Sequence, residues 1–296
     1  MTDIFAGDPK IFETDASFIA YRVTGTGPAL LLLHGYPQTM YMWHQIVGRL
    51  AQDYTVVLAD LRGYGDSGKP RTDDQHSPYS KREMAADMAA LMSHLGHEKF
   101  AVMGHDRGGR VAHRLARDYE HRLTGMAVLD IAPTLSMYEN TDMHFAKAYY
   151  HWFFLIQPAP LPETLIGADP EFYLRRKIGS WGASGEVHTR QAMDEYLRCF
   201  QSDTIHASCE DYRAAATIDL RHDRADADKK LSIPVLALSG AASFVGKTID
   251  IEAAWQAVCK NLTTGAVPGG HFLAEESPDE LLVICLPFFA KCHAQS

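Results

Sequence analysis

The stretch Val102-Met-Gly-His-Asp-Arg-Gly-Gly-Arg110 decides how the rest of this chain can fold. An apolar run, Phe100-Ala-Val-Met103, leads into it and predicts a buried strand, and Gly109-Arg-Val-Ala-His-Arg-Leu-Ala116 continues with helical spacing. Small residues flank Asp106 in the pattern Gly-x-Asp-x-Gly. A strand-to-helix turn this tight excludes large flanking side chains and presents its central side chain at the end of the sheet. The sequence therefore predicts a nucleophile here, a carboxylate rather than a serine hydroxyl.

Apolar runs of strand length alternate with helical segments on both sides of this turn. Ala29-Leu-Leu-Leu-Leu33 and residues 54–59 precede it, and residues 123–129 follow it. A helix is predicted from Tyr79 to Leu95, with Ser80 as its N-cap. This alternation predicts βαβ units, and therefore an α/β fold with a mostly parallel central sheet flanked by helices. The C-ends of such strands lie on one edge, where the ligand site is expected.

The pattern changes between residues 133 and 223, where helical segments rich in Tyr, Trp, Phe and His replace the strands. We interpret this region as an all-helical cap inserted over the strand C-ends. Strand-like residues return at 233–240, a short strand is predicted at 264–267, and the last helix at 278–290. Further helices are predicted at 43–52, 145–154, 170–181, 189–200 and 248–258. The predicted organisation is a core formed by residues 1–134 and 226–296, with a cap of residues 135–225.

Composition excludes several classes of function. The net charge of −9 argues against a nucleic-acid partner, which would require a basic face. The N-terminus, Met1-Thr-Asp-Ile-Phe5, lacks the basic and apolar regions of a signal peptide, and no apolar run is long enough to span a bilayer. The five cysteines lack metal-site spacing and are typical of reduced thiols in a cytoplasm. We therefore expect a soluble cytoplasmic protein without a metal or a cofactor.

Three residues occur in the order nucleophile, acid, histidine: Asp106, Asp130 and His271. A carboxylate is ionised at neutral pH, so it can displace a leaving group from a saturated carbon without a base. His271 would then activate water to hydrolyse the resulting ester, with Asp130 fixing its tautomer. The backbone N–H groups of Tyr36 and Arg107 are predicted to hold the oxyanion.

The acid of this triad could also follow the next strand. Residues 238–244 read Leu-Ser-Gly-Ala-Ala-Ser-Phe and contain no carboxylate, which favours Asp130. Capping of a helix remains an alternative role for Asp130.

Four motifs carry a family resemblance: His105-Asp-Arg-Gly-Gly-Arg110, Val128-Leu-Asp-Ile-Ala-Pro133, Tyr150-His-Trp152 and Cys209-Glu-Asp-Tyr-Arg213. Over essentially its full length the chain resembles the α/β-hydrolase fold enzymes of the dehalogenase and epoxide-hydrolase branch. Within that branch it closely resembles the fluoroacetate (haloacetate) dehalogenases. The resemblance implies the α/β-hydrolase fold, a small halogenated carboxylate as substrate, no cofactor and a homodimer.

The resemblance also assigns side chains to the substrate. Arg107 and Arg110 are expected to bind its carboxylate, since guanidinium groups bind carboxylates in a bidentate manner. His151, Trp152 and Tyr212 are implied as the halide pocket, because a departing fluoride needs aimed N–H and O–H donors in place of water. Trp181 is a further candidate for the wall of this pocket.

Two other functions remain open. A soluble epoxide hydrolase shares the Asp106 nucleophile and needs two cap hydroxyls, for which Tyr212 and either Tyr149 or Tyr150 are available. Arg107 and the missing acid at 239–244 argue against it. A non-catalytic receptor for a small anion is the third possibility, and the presence of nucleophile, acid and base together argues against it.

Overall fold

A central sheet organises the computed structural model, which describes residues 4–183 and 187–294. The ends of the predicted core segments, residues 1–3 and 295–296, and residues 184–186 of the predicted cap lie outside the described residues. Eight strands are formed by the described residues: β1 (Lys10–Glu13), β2 (Phe18–Thr24), β3 (Ala29–Leu33), β4 (Thr55–Ala59), β5 (Phe100–His105), β6 (Leu123–Leu129), β7 (Leu231–Gly240) and β8 (Cys259–Val267).

The strands lie in the order β1-β2-β4-β3-β5-β6-β7-β8. The pairs β1–β2 and β2–β4 are antiparallel and all the others are parallel, as the βαβ pattern predicts. Every residue of β3, β5 and β6 is buried, which explains their unbroken apolar runs. Leu33 pairs with Gly104, and Gly104 pairs with Val128. The loops that follow these three strands therefore start at the same level on one edge of the sheet.

Helices cover the sheet and form the insertion. Their bounds are α1 (Val47–Leu50), α2 (Lys81–His94), α3 (Arg107–Tyr119), α4 (Thr134–Glu139), α5 (Met143–Ala148), α6 (Tyr150–Leu155), α7 (Leu161–Gly167), α8 (Pro170–Trp181), α9 (Arg190–Cys199), α10 (Ser202–Ala216), α11 (Ile218–Ala225), α12 (Phe244–Thr248), α13 (Ile251–Gln256), α14 (Leu273–Glu276) and α15 (Pro278–Ala294). The Ser80 hydroxyl caps α2 as predicted, accepting the N–H of Glu83. None of the described helices is both long enough and apolar enough to cross a membrane.

The insertion between β6 and β7 consists of α4–α11, and its described regular elements are all helical. It lies against the C-terminal edge of the sheet, where Tyr36 contacts the rings of Trp181, Phe200 and Tyr212. These helices begin at Thr134 and end at Ala225. The treatment of 135–225 as a separate cap domain remains our interpretation of this insertion.

The expected elements differ from the observed ones mainly where the chain is exposed or irregular. The helix expected at 43–52 is a 3-10 turn, Met40–Trp43, followed by the short α1. The strand expected at 264–267 extends back to Cys259. Strands β1 and β8 form the two edges of the sheet, and most of their residues are exposed or only partly buried, with polar side chains between the apolar ones. An edge strand lacks a continuous run of apolar residues, so the spacing of apolar residues in the sequence does not reveal it.

Candidate active site

The turn between β5 and α3 holds Asp106 in a strained backbone conformation, with φ 45° and ψ −113°. A Cβ on Gly104 would lie 2.4 Å from the carbonyl oxygen of Gly108, and one on Gly108 would lie 2.3 Å from that of Leu33. The close approach of these backbones therefore requires both glycines. Non-glycine residues with positive φ concentrate at functional sites, where surrounding structure stabilises the strain.

Two backbone N–H groups were predicted to form the oxyanion hole beside this turn. The Tyr36 N–H donates to Oδ1 of Asp106 at 3.0 Å. Gly35 makes this approach possible, since a Cβ there would lie 2.5 Å from the Cβ of Asp106. The Arg107 N–H opens helix α3, where a backbone donor has no acceptor in a preceding turn. Oδ1 of Asp106 is thus already held by one of the two predicted donors.

His271 lies between the two aspartates. Its Nδ1 donates to Oδ2 of Asp130 at 2.6 Å, and its Nε2 lies 4.0 Å from Oδ2 of Asp106. The other oxygen of Asp130 accepts from the Gly240 N–H at 2.9 Å and from the Ser243 hydroxyl at 2.6 Å. Asp130 therefore orients the histidine and is itself fixed, while Nε2 is left able to act on a water beside Asp106.

The electrostatics of this triad favour a charged nucleophile. Burial raises the pKa of Asp106, but the charges of His271, Arg110 and Arg107 outweigh this effect, and the pKa is lowered below its ordinary value. Burial lowers the pKa of His271, but the hydrogen bond and charge of Asp130 and the charge of Asp106 raise it above 6.5. Asp106 is accordingly ionised at neutral pH.

Two further histidines brace the loops around the triad. His105 Nε2 donates to the carbonyl of His271 at 2.8 Å, and burial lowers its pKa to about 3. His34 Nε2 accepts from the Leu61 N–H at 3.0 Å, and burial lowers its pKa to about 4. Both rings are therefore neutral and act as hydrogen-bonding supports.

The Arg107 guanidinium binds Asp211 of the insertion. Its Nε donates to Oδ2 and its Nη2 to Oδ1, both at 2.7 Å, and Nη2 also reaches the Asp211 carbonyl at 3.0 Å. Asp211 therefore occupies the bidentate edge that was expected to bind a substrate. Nη1 is buried without a partner among the described residues, and Cζ lies 4.1 Å from the Tyr212 ring centroid. Nη1 is the nitrogen left for a ligand.

Arg110 is similarly anchored. Its Nη1 donates to the carbonyl of Ala132 at 3.2 Å and to the Thr134 hydroxyl at 2.9 Å, and its Nη2 contacts the sulfur of Met137. The Cζ atom lies 4.6 Å from the Trp152 ring centroid. Nε is buried and meets no acceptor within 4–183 and 187–294. Each of the two arginines thus leaves one nitrogen without a partner among the described residues, Nη1 in Arg107 and Nε in Arg110, and not a bidentate pair.

The three residues of the implied halide pocket lie together. The His151 and Tyr212 ring centroids are 5.8 Å apart, and those of Trp152 and Tyr212 are 6.4 Å apart. The indole Nε1 of Trp152, the phenol oxygen of Tyr212 and Nδ1 of His151 are buried without a hydrogen-bond partner in the described part of the chain. Burial and nearby cations lower the pKa of His151 well below 6.5. A group of buried, unpaired donors of this kind suits a small anion.

A cavity of about 310 Å³ opens between the insertion and the core and reaches the triad. Trp181 forms part of its wall and its carbonyl accepts the His271 N–H at 3.0 Å. The side chains that line it are Asp106, Asp130, Lys147, Tyr149, Tyr150, His151, Arg176, Lys177, Ser180, Trp181, Ser243, Phe244 and His271. Four candidate residues are not among those that line this cavity: Arg107, Arg110, Trp152 and Tyr212.

Sequence reasoning missed three residues of this site. Asp211 stands next to Tyr212 inside a motif that the resemblance singled out, yet a carboxylate there gave no indication of its partner. Ser243 lies in the loop that was searched only for a carboxylate, and it binds Asp130 instead. Lys177 stands within the predicted helix 170–181, and nothing in the sequence indicated that it would be buried.

Two other clusters have ligand atoms close enough to hold a metal ion: Asp66, Glu195 and Cys199, and Glu163, His206 and Glu210. In the first, Arg198 bonds to both carboxylates, and in the second, Arg213 does so. A guanidinium therefore already supplies the positive charge at each cluster, and we assign a metal to neither.

Comparisons with known proteins identify the family of this chain. The alpha/beta hydrolase fold family model matches residues 28–278. A fluoroacetate dehalogenase of Burkholderia sp. is 44% identical over 270 residues, covering 90% of this chain and 89% of that protein. A soluble epoxide hydrolase of Corynebacterium sp. (strain C12) is 37% identical over 275 residues, which cover 91% of this chain and 93% of that protein. The crystal structure of a protein from Nostoc sp. PCC 7120, assigned to the α/β hydrolases, matches with a TM-score of 0.94. The two sequences are 53% identical, and the match covers 95% of this chain and 97% of that chain. The chain therefore belongs to the α/β hydrolase fold family.

Proposed function

We propose that this protein is a hydrolytic dehalogenase that converts haloacetates, including fluoroacetate, into glycolate and halide. The observation that carries the proposal is the arrangement of Asp106. One of its oxygens accepts the Tyr36 N–H, the other faces His271, and two arginines follow it on the same helix turn. A charged nucleophile beside cations suits a substrate that is itself an anion. The 44% identity to a fluoroacetate dehalogenase supports the same substrate class.

In the first step, Oδ2 of Asp106 attacks the carbon that bears the halogen. A C–O bond forms, the C–halogen bond breaks, and its electron pair leaves with the halide, so that Asp106 becomes an ester of the acid. The free nitrogens of Arg107 and Arg110 hold the substrate carboxylate and offset its repulsion by the nucleophile. Lowering of the Asp106 pKa keeps the nucleophile ionised.

Departure of halide needs donors in place of water. Trp152, Tyr212 and His151 offer an indole N–H, a phenol O–H and a ring N–H that have no acceptor among the described residues. Because these donors are fixed before the reaction, they stabilise the developing negative charge without reorganisation. Fluoride benefits most, since it is the smallest and most strongly hydrated of the halides.

In the second step, His271 takes a proton from water, and the hydroxide attacks the carbonyl carbon of the ester. The oxyanion forms on Oδ1, where Tyr36 and the Arg107 N–H stabilise it. Asp130 stabilises the imidazolium. Collapse of the intermediate breaks the bond to Oδ2, which leaves with the glycolate and takes a proton from His271. Asp106 is released as a carboxylic acid with one oxygen and one proton from water, and loss of that proton to solvent restores the carboxylate.

Halide release from fluoro-, chloro- and bromoacetate, read with a fluoride electrode and by ion chromatography, tests this activity. We expect Asp106→Ala to abolish it and His271→Asn to accumulate an ester of mass substrate minus halide on Asp106. With enzyme in excess over substrate in H₂¹⁸O, the label should enter Asp106 and not the first glycolate released. A stable complex without covalent change would contradict the mechanism and indicate the non-catalytic receptor.

Epoxide hydrolysis is the second candidate function. The 37% identity to a soluble epoxide hydrolase and two phenols of the insertion, Tyr149 at the cavity and the unpartnered Tyr212, favour it. Two hydroxyls could protonate an epoxide oxygen while Asp106 attacks the carbon. Parallel incubation with fluoroacetate and styrene oxide separates the two functions: fluoride release supports the first, and diol formation without halide release from any haloacetate supports the second.

We also propose that the protein is a cytoplasmic homodimer. The five cysteines are free, which suits a reducing compartment. On α7 and α8, Leu161, Leu165 and Phe172 are exposed by 50%, 58% and 67%, and a second copy would cover them. Light scattering after size exclusion should give twice the mass of the chain. Leu165→Glu should halve that mass, whereas Val283→Glu, on the exposed face of α15, should not. Cell fractionation tests the compartment.

A further inference from the structure

Three cations from the insertion line the cavity that leads to Asp106. They are Lys147, Arg176 and Lys177, and the acidic residues among the described lining side chains are the catalytic Asp106 and Asp130. The protein as a whole carries a net charge of −9. The path to the nucleophile is thus locally basic in an acidic molecule. A cleft lined by one sign of charge concentrates ligands of the opposite sign.

Lys177 differs from the other two because it is buried, with 2% of its surface exposed. Its Nζ lies 3.6 Å from the Tyr150 ring centroid, 5.4 Å from that of Trp181 and 5.8 Å from that of Tyr173. Aromatic faces stabilise an ammonium group but leave its N–H donors without an oxygen acceptor. Within the part of the chain that the structure describes, it forms no ion pair with a carboxylate.

A buried lysine without an acidic partner is costly, since charged groups are rarely buried unless they are paired. Burial and the charge of Arg176 lower the pKa of Lys177 to about 7. An anion beside Nζ would supply the missing partner. Lys177 shares the cavity with Asp106 and His271, so the anions that pass it are those of the reaction.

The size of the cavity supports a position separate from the reaction centre. A volume of about 310 Å³ exceeds what a two-carbon acid fills, and Arg107 and Arg110 are not among the residues that line it. Lys177 lines the same cavity as Asp106 and His271, so a haloacetate or a glycolate in this cavity has room to contact Lys177 without occupying the reaction centre.

We propose that Lys177, with Arg176 and Lys147 at the cavity mouth, forms an outer binding site for small monocarboxylates. It receives the haloacid before it moves to Arg107 and Arg110, and receives glycolate on its way out. This inference rests on the proposed function, since it takes the substrate to be a carboxylate. The Lys177 ammonium donates to the carboxylate, and the three aromatic rings hold the lysine in place.

Kinetics give the first test. Lys177→Met should lower kcat/KM for fluoroacetate by roughly tenfold through KM, with kcat changed less than twofold, and Lys177→Arg should restore most of the loss. Arg175→Gln is the matched control, because Arg175 lies on the same helix, is exposed and pairs only with Glu171 among the described residues. An unchanged KM in a folded Lys177→Met variant would overturn the proposal.

Binding without turnover gives the second test and separates this proposal from the proposed function. Crystals of Asp106→Asn soaked with bromoacetate should show two anomalous bromine positions, one of them beside a carboxylate bonded to Lys177 Nζ. Calorimetry with bromoacetate should find two binding events in the Asp106→Asn variant and one in the double variant that also carries Lys177→Met. A single inner position in both experiments overturns the outer site, even if haloacetates are hydrolysed. If no halide is released but the outer position is filled, only the proposed function fails.

Discussion

Single residues set the chemistry of this site through contacts that can be named. The two oxygens of Asp106 differ: Oδ1 is held by the Tyr36 N–H, and Oδ2 faces His271. The carboxylate oxygens of Asp130 accept hydrogen bonds from His271, Gly240 and Ser243. In the proposed mechanism, one oxygen of Asp106 therefore carries the developing charge and the other is available for attack.

Asp130→Asn should change both the rate and its dependence on pH. In one orientation, the amide of the variant places its NH₂ group where Oδ2 of Asp130 accepts from His271, and this favours the wrong tautomer of His271. In the other orientation, the NH₂ group faces the Gly240 N–H and the Ser243 hydroxyl, and those two hydrogen bonds are lost. We expect the plateau of kcat to fall by roughly 10²–10⁴-fold. His271 acts when neutral, so kcat rises with pH through its pKa. Since Asp130 raises that pKa, the rising limb should move to lower pH in the variant.

Measurement of halide release from pH 5 to 9 checks this prediction. Asp194→Asn, at an exposed position of α9, is the control, and it should leave both the plateau and the rising limb of the pH profile of kcat unchanged. A limb that moves to higher pH in Asp130→Asn would contradict the assigned role.

The glycine at position 108 should be indispensable to stability. An added Cβ would lie 2.3 Å and 2.4 Å from the carbonyl oxygens of Leu33 and His34, which are backbone atoms and cannot move aside cheaply. We expect Gly108→Ala to lower the free energy of unfolding by about 1–3 kcal/mol. Gly179→Ala on α8, where a Cβ meets nothing within 4 Å, should raise it by up to about 1 kcal/mol. Urea unfolding of both variants measures the difference.

At the scale of elements, one buried ion pair ties the insertion to the core. Asp211 of α10 binds Arg107 of α3 through two hydrogen bonds to its carboxylate, and it also accepts from Tyr64 at 2.6 Å and from Lys81. The surrounding cations lower the pKa of Asp211 well below its ordinary value, although burial alone would raise it. Asp211 thereby positions the arginine that follows the nucleophile, and it is a positioning residue rather than a catalytic one.

Asp211→Asn should therefore affect both stability and substrate affinity. Removal of the charge leaves Arg107 buried without a carboxylate partner and leaves Lys81 with Asp219 alone, at 3.8 Å, so we expect a loss of about 3–5 kcal/mol in the free energy of unfolding. A misplaced Arg107 should raise KM for chloroacetate more than it lowers kcat. Glu171→Gln, which breaks an exposed pair with Arg175, should cost less than about 1 kcal/mol. Equal changes in KM and kcat would indicate a structural role alone.

The sequence predicted the elements that are buried and missed those that are not. The runs at 29–33 and 123–129 predict their strands almost to the residue because both faces of these strands are covered. The edge strands β1 and β8 were missed or shortened because their exposed faces carry polar residues. The order of the loops predicted that Asp106, Asp130 and His271 lie together, and their catalytic roles stay a prediction. The partner of Arg107 was not predicted, because no local pattern records which side chain of a distant helix will face it.

At the scale of the molecule, buried neutral histidines should make stability depend on pH. Burial lowers the pKa of His34 to about 4, that of His105 to about 3, and those of His113 and His151 well below 6.5. Below pH 6.5 the unfolded chain protonates these groups and the folded protein does not. Each therefore lowers the free energy of unfolding by about 1.4 kcal/mol per pH unit as pH falls from 6.5 towards its folded pKa.

Urea unfolding at pH 7, 6 and 5 measures this slope. His271 acts in the opposite sense, because its pKa is raised and its contribution is lost as pH rises. Burial also raises the pKa of Asp60 to about 7 and that of Asp223 to about 6, so these two carboxyl groups, like His271, add stability as pH falls. The effect of each buried histidine is therefore read from its own variant and not from the net slope. His34→Gln should reduce the slope by about 1.4 kcal/mol per pH unit. A slope that His34→Gln leaves unchanged would contradict the neutral state of this histidine.

The bond from the Trp181 carbonyl to the His271 N–H joins main chain to main chain. Substitution of either side chain leaves that bond possible, so many residue types are compatible with it. A change in chain length is different, because an insertion or deletion within α8 would rotate the carbonyl by about 100° per residue and shift it by about 1.5 Å. Exchange of this insertion between relatives should therefore succeed only when the number of residues up to position 181 is conserved.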